Sequence, residues 1–86
     1  MNFEFDRHKS AGNKKKHGID FDEAIALWDD PDVIEIPVNT NDEPRFLVIG
    51  KVLGKHYSGV ITYRSEKIGI ISVRRSRKKE VDLYES

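Results

Sequence analysis

The chain of 86 residues has 15 Lys and Arg residues against 15 Asp and Glu residues, so its formal net charge at pH 7 is zero. Hydrophobic residues make up 37% of the chain and charged residues 35%, a balance that predicts one small folded domain over residues 1–86. The chain contains no cysteine, which excludes disulfides, thiolate zinc sites and thiol catalysis.

The zero net charge hides a division along the chain. Residues 19–44 contain nine carboxylates and no Lys or Arg, whereas residues 45–79 contain ten cations and a single acid, Glu66. The basic half is suited to a polyanion such as RNA, and the acidic half is suited to a cationic partner or to shielding the basic half.

The N-terminal third predicts a short extended segment followed by two helices. Residues Asn2–Phe5 are expected to be extended, Asp6 then caps a helix that runs to about His17, and Gly18 ends it. The second helix begins with a capping-box pattern and ends at Asp30-Pro31. Its apolar positions at helical spacing are Phe21, Ala24, Ile25 and Trp28.

The remainder of the chain predicts strands and a last helix. The predicted elements are an edge strand at Ile34–Val38, an interior strand at Arg45–Leu53, a hairpin of Tyr57–Arg64 and Lys67–Arg74, and a helix capped by Ser76 that runs through Tyr84. The predicted class is α+β, with an antiparallel sheet of about four strands, two N-terminal helices and one C-terminal helix, all on one side of the sheet.

The end of the last strand is the strongest candidate site. Alternation predicts that Ile68, Ile70, Ser72 and Arg74 share one face, and that Ile71, Val73 and Arg75 share the other. Arg74 would then emerge beside apolar side chains and offer its planar fork to phosphate oxygens. Arg75, Arg77 and Lys78 extend this basic segment. The alternative is a solvated helix start, or pairing of these cations with the acidic stretch.

A second group of cations is expected to join Arg74. Arg45, Lys51 and Arg64 lie on neighbouring predicted strands, and such a cluster favours an incoming anion. The alternative is a set of unrelated surface charges. Tyr84 is a candidate for proton donation or base stacking, or else a core aromatic. His17 and His56 are candidates for acid–base chemistry, or else structural residues.

Other chemistries find no support in the sequence. The histidines and the acidic run have no metal-ligand spacing, and no glycine-rich phosphate loop is present, so we expect no metal and no cofactor. The first residues show no signal-peptide pattern, and no apolar run approaches the roughly 20 residues of a membrane span. We therefore expect a cytoplasmic protein with no membrane partner.

Three segments together resemble one known family, the BrnT-type toxins. The opening is similar in Phe3-Glu4-Phe5-Asp6, Lys9, Asn13 and Lys16-His17-Gly18-Ile19, the middle in Glu43-Pro44-Arg45-Phe46 and Ile49-Gly50, and the close in Ile70–Arg75 with Glu80 and Tyr84. Val73 and Ser76 stand where the family usually has alanine. The resemblance covers nearly the whole chain.

This resemblance implies a RelE-like fold and a ribonuclease toxin that stops translation. It also implies a cognate antitoxin, similar to BrnA proteins of the ribbon-helix-helix type, that binds the toxin directly and carries the complex to operator DNA. A toxin dimer within that complex is expected. For RNA cleavage by the ribose 2′-OH, Arg64 and Arg74 are the expected catalytic cations, with Arg45 beside them and Lys51 on backbone phosphates.

Tyr84 or His17 is expected to assist with protons or stacking in that reaction, and Arg75, Arg77 and Lys78 are expected to bind RNA phosphates. Two alternatives remain open at this point. The chain could be a binding module for RNA or DNA without catalysis, acting with a partner protein. Its basic face could also serve only as the docking site of an acidic antitoxin.

Overall fold

A computed structural model describes all residues, 1–86, and shows an α+β fold with three helices and a five-stranded mixed sheet. The strands are β1 (Asn2–Glu4), β2 (Ile34–Val38), β3 (Arg45–Val52), β4 (Lys55–Arg64) and β5 (Lys67–Arg75). The helices are α1 (Arg7–His17), α2 (Phe21–Ala24) and α3 (Lys78–Glu85), and a 3₁₀ helix at Ile25–Asp29 continues α2. The predicted fold class is confirmed.

The sheet has one more strand than predicted, and that strand is parallel. The strand order is β1-β5-β4-β3-β2, and every pair is antiparallel except β1 with β5. The segment Asn2–Glu4 pairs with residues 67–69 of β5, a contact across most of the chain that local sequence patterns cannot reveal. The prediction of about four antiparallel strands is therefore wrong in this detail.

The predicted helix boundaries in the N-terminal third are largely confirmed. Asp6 caps α1 by accepting hydrogen bonds from the amides of His8 and Lys9 at 2.8 and 3.1 Å. Gly18 ends α1 with φ = 79°, in the left-handed region that glycine tolerates. The capping box of Asp20 and Glu23 is present, but α2 ends at Ala24 and the predicted second helix continues as the 3₁₀ helix.

The hydrophobic core lies between the N-terminal helices and one face of the sheet, which we call the front face. Phe21 and Ala24 of α2 pack there against Val48, Ile61 and Val73, one residue from each central strand, and all five are at most 1% exposed. Burying such side chains removes most of their surface from water, which stabilises the fold by roughly 1.5–3 kcal/mol for each large one. Helix α1 is joined to the edge of β5 by a buried asparagine.

That asparagine is Asn13, which is 8% exposed. Its side-chain amide donates to the carbonyls of Ile19 and Val73 at 2.7 and 2.8 Å, and its oxygen accepts from the amide of Val73 at 3.2 Å. Strand β1 covers only the first part of β5, so Asn13 satisfies backbone groups on the open part of that edge.

A β-bulge changes which residues of β5 share a face. Ser72 pairs with Val60 but Ile70 pairs with Ile61, so Ile71 is the extra residue. Val73 consequently joins Ile68 and Ile70 in the core. The predicted faces are therefore wrong beyond the bulge, because Arg74 follows Val73 and points to the opposite side, which we call the back face.

Helix α3 lies on the back face. The prediction that it lies on the same side of the sheet as the other two helices is wrong. A Cβ on Gly59 would meet Leu27 at 3.8 Å, so the neighbouring Ser58 points away from the core, and its hydroxyl donates to Glu80 of α3 at 2.9 Å. The helix begins one residue later than predicted. Its N-cap is Arg77, and Ser76 instead shares a 2.8 Å hydrogen bond with Ser58.

Candidate functional site

The sheet separates the arginines that were expected to form one pocket. Arg74 is opposite Ser58 on β4, whereas Arg64 on the same strand is opposite Lys67, so residues 58 to 64 lie between them. That interval is about 20 Å of extended chain. The prediction that Arg64 and Arg74 share one phosphate cradle is wrong, because the two residues end adjacent antiparallel strands at opposite ends.

Arg64 and Arg45 are at the end of the sheet next to loop 39–44, which we call the loop end. Arg64 binds the carboxylates of Glu43 at 3.1 Å and Glu4 at 3.4 Å, and its side chain is 54% exposed. Hydrogen bonding to Glu43, then to Glu4, raises the pKa of Arg64. Arg45 begins β3 at this end, and its Nε is buried without a hydrogen bond. The ion pairs of Arg64 are typical of an exposed charged surface.

Arg74 is at the other end, which we call the α3 end and define by Lys51, His56, Ser58 and Arg74. Its guanidinium forms a two-pronged ion pair with Glu80, with both nitrogen–oxygen distances at 2.7 Å. The Arg74 and Glu80 side chains are only 27% and 12% exposed, so water screens this pair much less than the pairs of the loop end.

Glu80 is a positioning anion rather than a base. Besides Arg74, it accepts from the Ser58 hydroxyl at 2.9 Å and from the amide of Arg77 at 2.8 Å. The hydrogen bonds from Arg74 outweigh burial and lower the pKa of Glu80 to about 2. The same pairing raises the pKa of Arg74 although burial opposes it. Glu80 therefore stays ionised and fixes the guanidinium plane.

The ion pair leaves part of the Arg74 guanidinium unused. Nη1 donates to Glu80 and to the carbonyl of Arg75, and Nη2 donates once to Glu80. A guanidinium has five N–H groups, so the Nε–H and one Nη2–H have no acceptor within the chain. These two donors form a second fork, which matches two oxygens of a phosphate.

Lys51, His56 and Tyr84 surround the same end of the sheet. Lys51 is opposite His56 across β3 and β4, and His56 shares the back face with Ser58 because the two are alternate residues on β4. The rings of His56 and Tyr84 meet edge to face at 5.2 Å, and the Lys51 ammonium is 5.9 Å from the centre of the Tyr84 ring. His56 Nε2 is 2.8 Å from a carboxylate oxygen of Glu85.

The Tyr84 hydroxyl is held by a carboxylate. It donates to Asp30 at 2.6 Å, and this bond, with burial, raises the pKa of Tyr84 to about 12. Burial disfavours the charge of Asp30, but hydrogen bonds from Tyr84 and from the amides of Asp32 and Lys51 outweigh it and lower the pKa of Asp30. Tyr84 thus keeps its proton, and its ring packs against His56 with the Lys51 ammonium nearby.

The remaining predicted residues lie outside this cluster. Arg75 is on the front face, 5.7 Å from the centre of the Tyr57 ring. Arg77 begins α3 through its backbone, and Lys78 is an exposed residue that pairs with Asp82. His17 ends α1 and makes no hydrogen bond or ion pair. The structure therefore groups Arg74, Lys51 and Tyr84 among the predicted residues.

Three residues of the cluster were not predicted as site residues. Glu80 had a usable signal, because a glutamate three residues after a helix start commonly caps it. Ser58 and Asp30 had none, since their contacts depend on the sheet register and on the position of α3. His56 was considered only as one of two histidines.

No three His, Cys, Asp or Glu side chains gather as metal ligands, and none of the helices has the length and apolarity to span a membrane.

Comparison with known families identifies the chain. The model of one family, described as the ribonuclease toxin BrnT of a type II toxin–antitoxin system, matches residues 5–80. Comparison with curated proteins gives no match. The matched range includes Asp30, Lys51, His56, Ser58, Arg74 and Glu80, and ends just before Tyr84. The chain therefore belongs to the BrnT family of ribonuclease toxins from type II toxin–antitoxin systems.

Proposed function

We propose that this chain is a metal-independent endoribonuclease whose active centre is the α3 end of the back face. The observation that carries the proposal is the second, unoccupied fork of Arg74, which Glu80 fixes at the same end of the sheet as Lys51 and His56. This arrangement provides cations for a phosphate and a histidine for proton transfer within one side of the sheet.

The proposed reaction is an internal transfer at phosphorus. The ribose 2′-OH loses its proton to a base, its oxygen attacks the adjacent phosphorus, and the 5′-oxygen of the next nucleotide leaves with a proton. The products are a 2′,3′-cyclic phosphate and a 5′-hydroxyl. The Arg74 fork and the Lys51 ammonium would stabilise the additional negative charge, and one well-placed donor of this kind is worth roughly 3 kcal/mol.

The proton-transfer role is assigned to His56 rather than to His17 or Tyr84. The His56 side chain is 21% exposed and lies opposite Lys51 on the neighbouring strand. This exposure leaves the imidazole accessible to a bound ribose. Histidine is the residue that most often performs such transfers, typically with a 10²- to 10⁴-fold effect. Tyr84 supports it as a platform, since its hydroxyl is committed to Asp30.

The family membership implies a cognate antitoxin, and we infer the rest of the biological setting from it. RNA cleavage would block translation in the cytoplasm until the antitoxin binds. We propose that the antitoxin is of the BrnA type with a ribbon-helix-helix part, that the toxin is dimeric within the complex, and that the chain reaches operator DNA only through the antitoxin.

The experiment that tests this function is cleavage of a mixed-sequence RNA by the purified chain in EDTA, with DNA of the same sequence as the control. RNA fragments ending in cyclic phosphate are expected, and DNA remains intact because it has no 2′-OH. Binding of RNA without cleavage would instead support the non-catalytic module. Cleavage of the DNA would contradict the proposed chemistry.

A further inference from the structure

The tip of the β3–β4 hairpin combines two features that are unfavourable for an isolated domain. Leu53 is 96% exposed, the most exposed large hydrophobic residue of the chain. It also has φ = 51°, and Gly54 beside it has φ = 77°. Positive φ at both central residues is typical of a type I′ turn, where asparagine, aspartate or glycine is preferred and leucine is strained. Folding alone does not favour leucine here.

Next to Leu53 is a groove of about 460 Å³ on the front-face side. Its apolar lining comes from Ile19, Ala26, Val52, Leu53 and Tyr57, which belong to the loop after α1, the 3₁₀ helix and the hairpin. The groove lies across the sheet from the α3 end, because Tyr57 and Ser58 are consecutive on β4 and point to opposite faces. It is therefore separate from the proposed active centre.

The charged side chains around the groove are mainly basic. Lys55 lines the groove and Arg75 lies over the Tyr57 ring, and neither forms an ion pair. Glu23, the acid in the lining, is already bound by Lys14 at 2.8 Å. An occupant with carboxylates beside its apolar side chains would complement this rim.

We propose that this groove, with Leu53 at its edge, is a docking site for a segment of the cognate antitoxin that presents aliphatic side chains flanked by Asp or Glu. The partner follows from the toxin family, so the inference rests on that part of the proposed function. The aliphatic lining favours a protein over RNA, because Arg75 already covers the one aromatic ring available for stacking bases. A second copy of this chain would bring like-charged rims together.

The test uses Leu53→Asn and the cognate antitoxin, purified and titrated against each variant by calorimetry. Asparagine suits the turn, so the Tm of Leu53→Asn should equal or exceed that of the parent while affinity for the antitoxin falls about tenfold or more. Val38→Thr is the matched control, since Val38 is 41% exposed on β2 and away from the groove. It should bind like the parent.

A charge reversal provides a second variant that does not depend on the turn. Lys55→Glu should weaken antitoxin binding about fivefold at low salt and less at high salt. Lys67→Glu is its control, because Lys67 is an exposed, unpaired lysine at the loop end. Antitoxin affinity within twofold of the parent for both Leu53→Asn and Lys55→Glu would overturn the inference.

Two further results would assign the groove to another occupant and also overturn the inference. One is a shift of the monomer–dimer equilibrium in Leu53→Asn with unchanged antitoxin affinity. The other is weaker RNA binding with unchanged antitoxin affinity. Leu53→Asn and Lys55→Glu should both cleave RNA like the parent when no antitoxin is present. If the parent itself cleaves no RNA but the variants still lose antitoxin affinity, the ribonuclease proposal fails and the docking site stands.

Discussion

The two ends of the sheet carry similar charges but differ in how the chain surrounds them. At the loop end, Arg64 reaches two carboxylates with more than half of its side chain in water. At the α3 end, Arg74 is about one-quarter exposed and locked by one carboxylate, with part of its guanidinium free. The contrast shows that cation count alone does not define a phosphate site. What distinguishes the α3 end is a fixed, poorly screened cation with unused donors at the same end of the sheet as His56, to which we assign proton transfer.

The largest expected effect separates the two ends directly. Arg74→Lys keeps the charge opposite Glu80 but removes the second fork, and the RNA cleavage rate should fall about 100-fold or more. Arg64→Lys at the loop end should change the rate by less than about threefold. Rates are measured in single-turnover assays on variants with parental circular dichroism. An equal loss in both variants would remove the distinction between the ends.

Replacing a histidine should have the next largest effect. His56→Gln is expected to lower the cleavage rate about 100-fold, because glutamine cannot transfer the proton. His17→Gln, on a helix end that makes no contact with the cluster, serves as the matched control and should keep the parental rate. A loss confined to His17→Gln would move the proton-transfer role back to α1.

The acid sensitivity of the α3 end should exceed that of the loop end. Glu80 has a pKa of about 2 in the folded chain against an ordinary value of 4.5, so its stabilising contribution is complete above about pH 5 and is lost as the pH falls towards 2. That difference corresponds to roughly 3 kcal/mol of the free energy of unfolding.

Glu80→Gln should remove most of this pH dependence in urea titrations between pH 5 and pH 2. The control is Glu43→Gln, which neutralises the carboxylate that pairs with Arg64. It should leave the pH dependence of stability close to that of the parent, because exposed pairs contribute little. Parental acid sensitivity in Glu80→Gln would show that the Arg74 pair does not stabilise the fold.

The smallest expected effect concerns the hydroxyl of Tyr84. Tyr84→Phe keeps the ring against His56 but frees Asp30, so the cleavage rate should change by less than about threefold while the Tm falls slightly. Tyr84→Ala also removes the platform and should lower the rate further. A Tyr84→Phe variant as inactive as His56→Gln would mean that the hydroxyl itself transfers a proton.

The sequence predicted the elements better than their arrangement. Asp6, Gly18 and the capping box of Asp20 and Glu23 marked the helix ends because their effects are local. The parallel pairing of β1 and the bulge at Ile71 depend on distant contacts, and neither follows from the strand pattern. The bulge reversed the expected face of Arg74. The assignment of Arg64 and Arg74 to one pocket failed for another reason, because the two residues lie at opposite ends of adjacent antiparallel strands.

The site shows the same limit. Arg74, Lys51 and Tyr84 are the predicted residues that lie at one end of the sheet, because each is near the end of an element that reaches it. Asp30 could not be predicted as their support, because it follows the 3₁₀ helix and reaches Tyr84 across 54 positions of the chain. Its place in the structure depends on Gly50, where a Cβ would meet the Asp30 carboxylate at 3.2 Å.

The most direct test of the active-centre assignment is to map a bound, uncleavable RNA by NMR. The ligand would be a single RNA strand with a 2′-O-methyl group on every ribose, which blocks attack by the 2′ oxygen, and backbone and side-chain shifts would be followed during titration. We predict the largest shifts at Lys51, His56, Ser58 and the Arg74 Nε–H, with little change at Arg45 and Arg64. Shifts concentrated at Arg45 and Arg64, with the α3 end unchanged, would contradict the assignment.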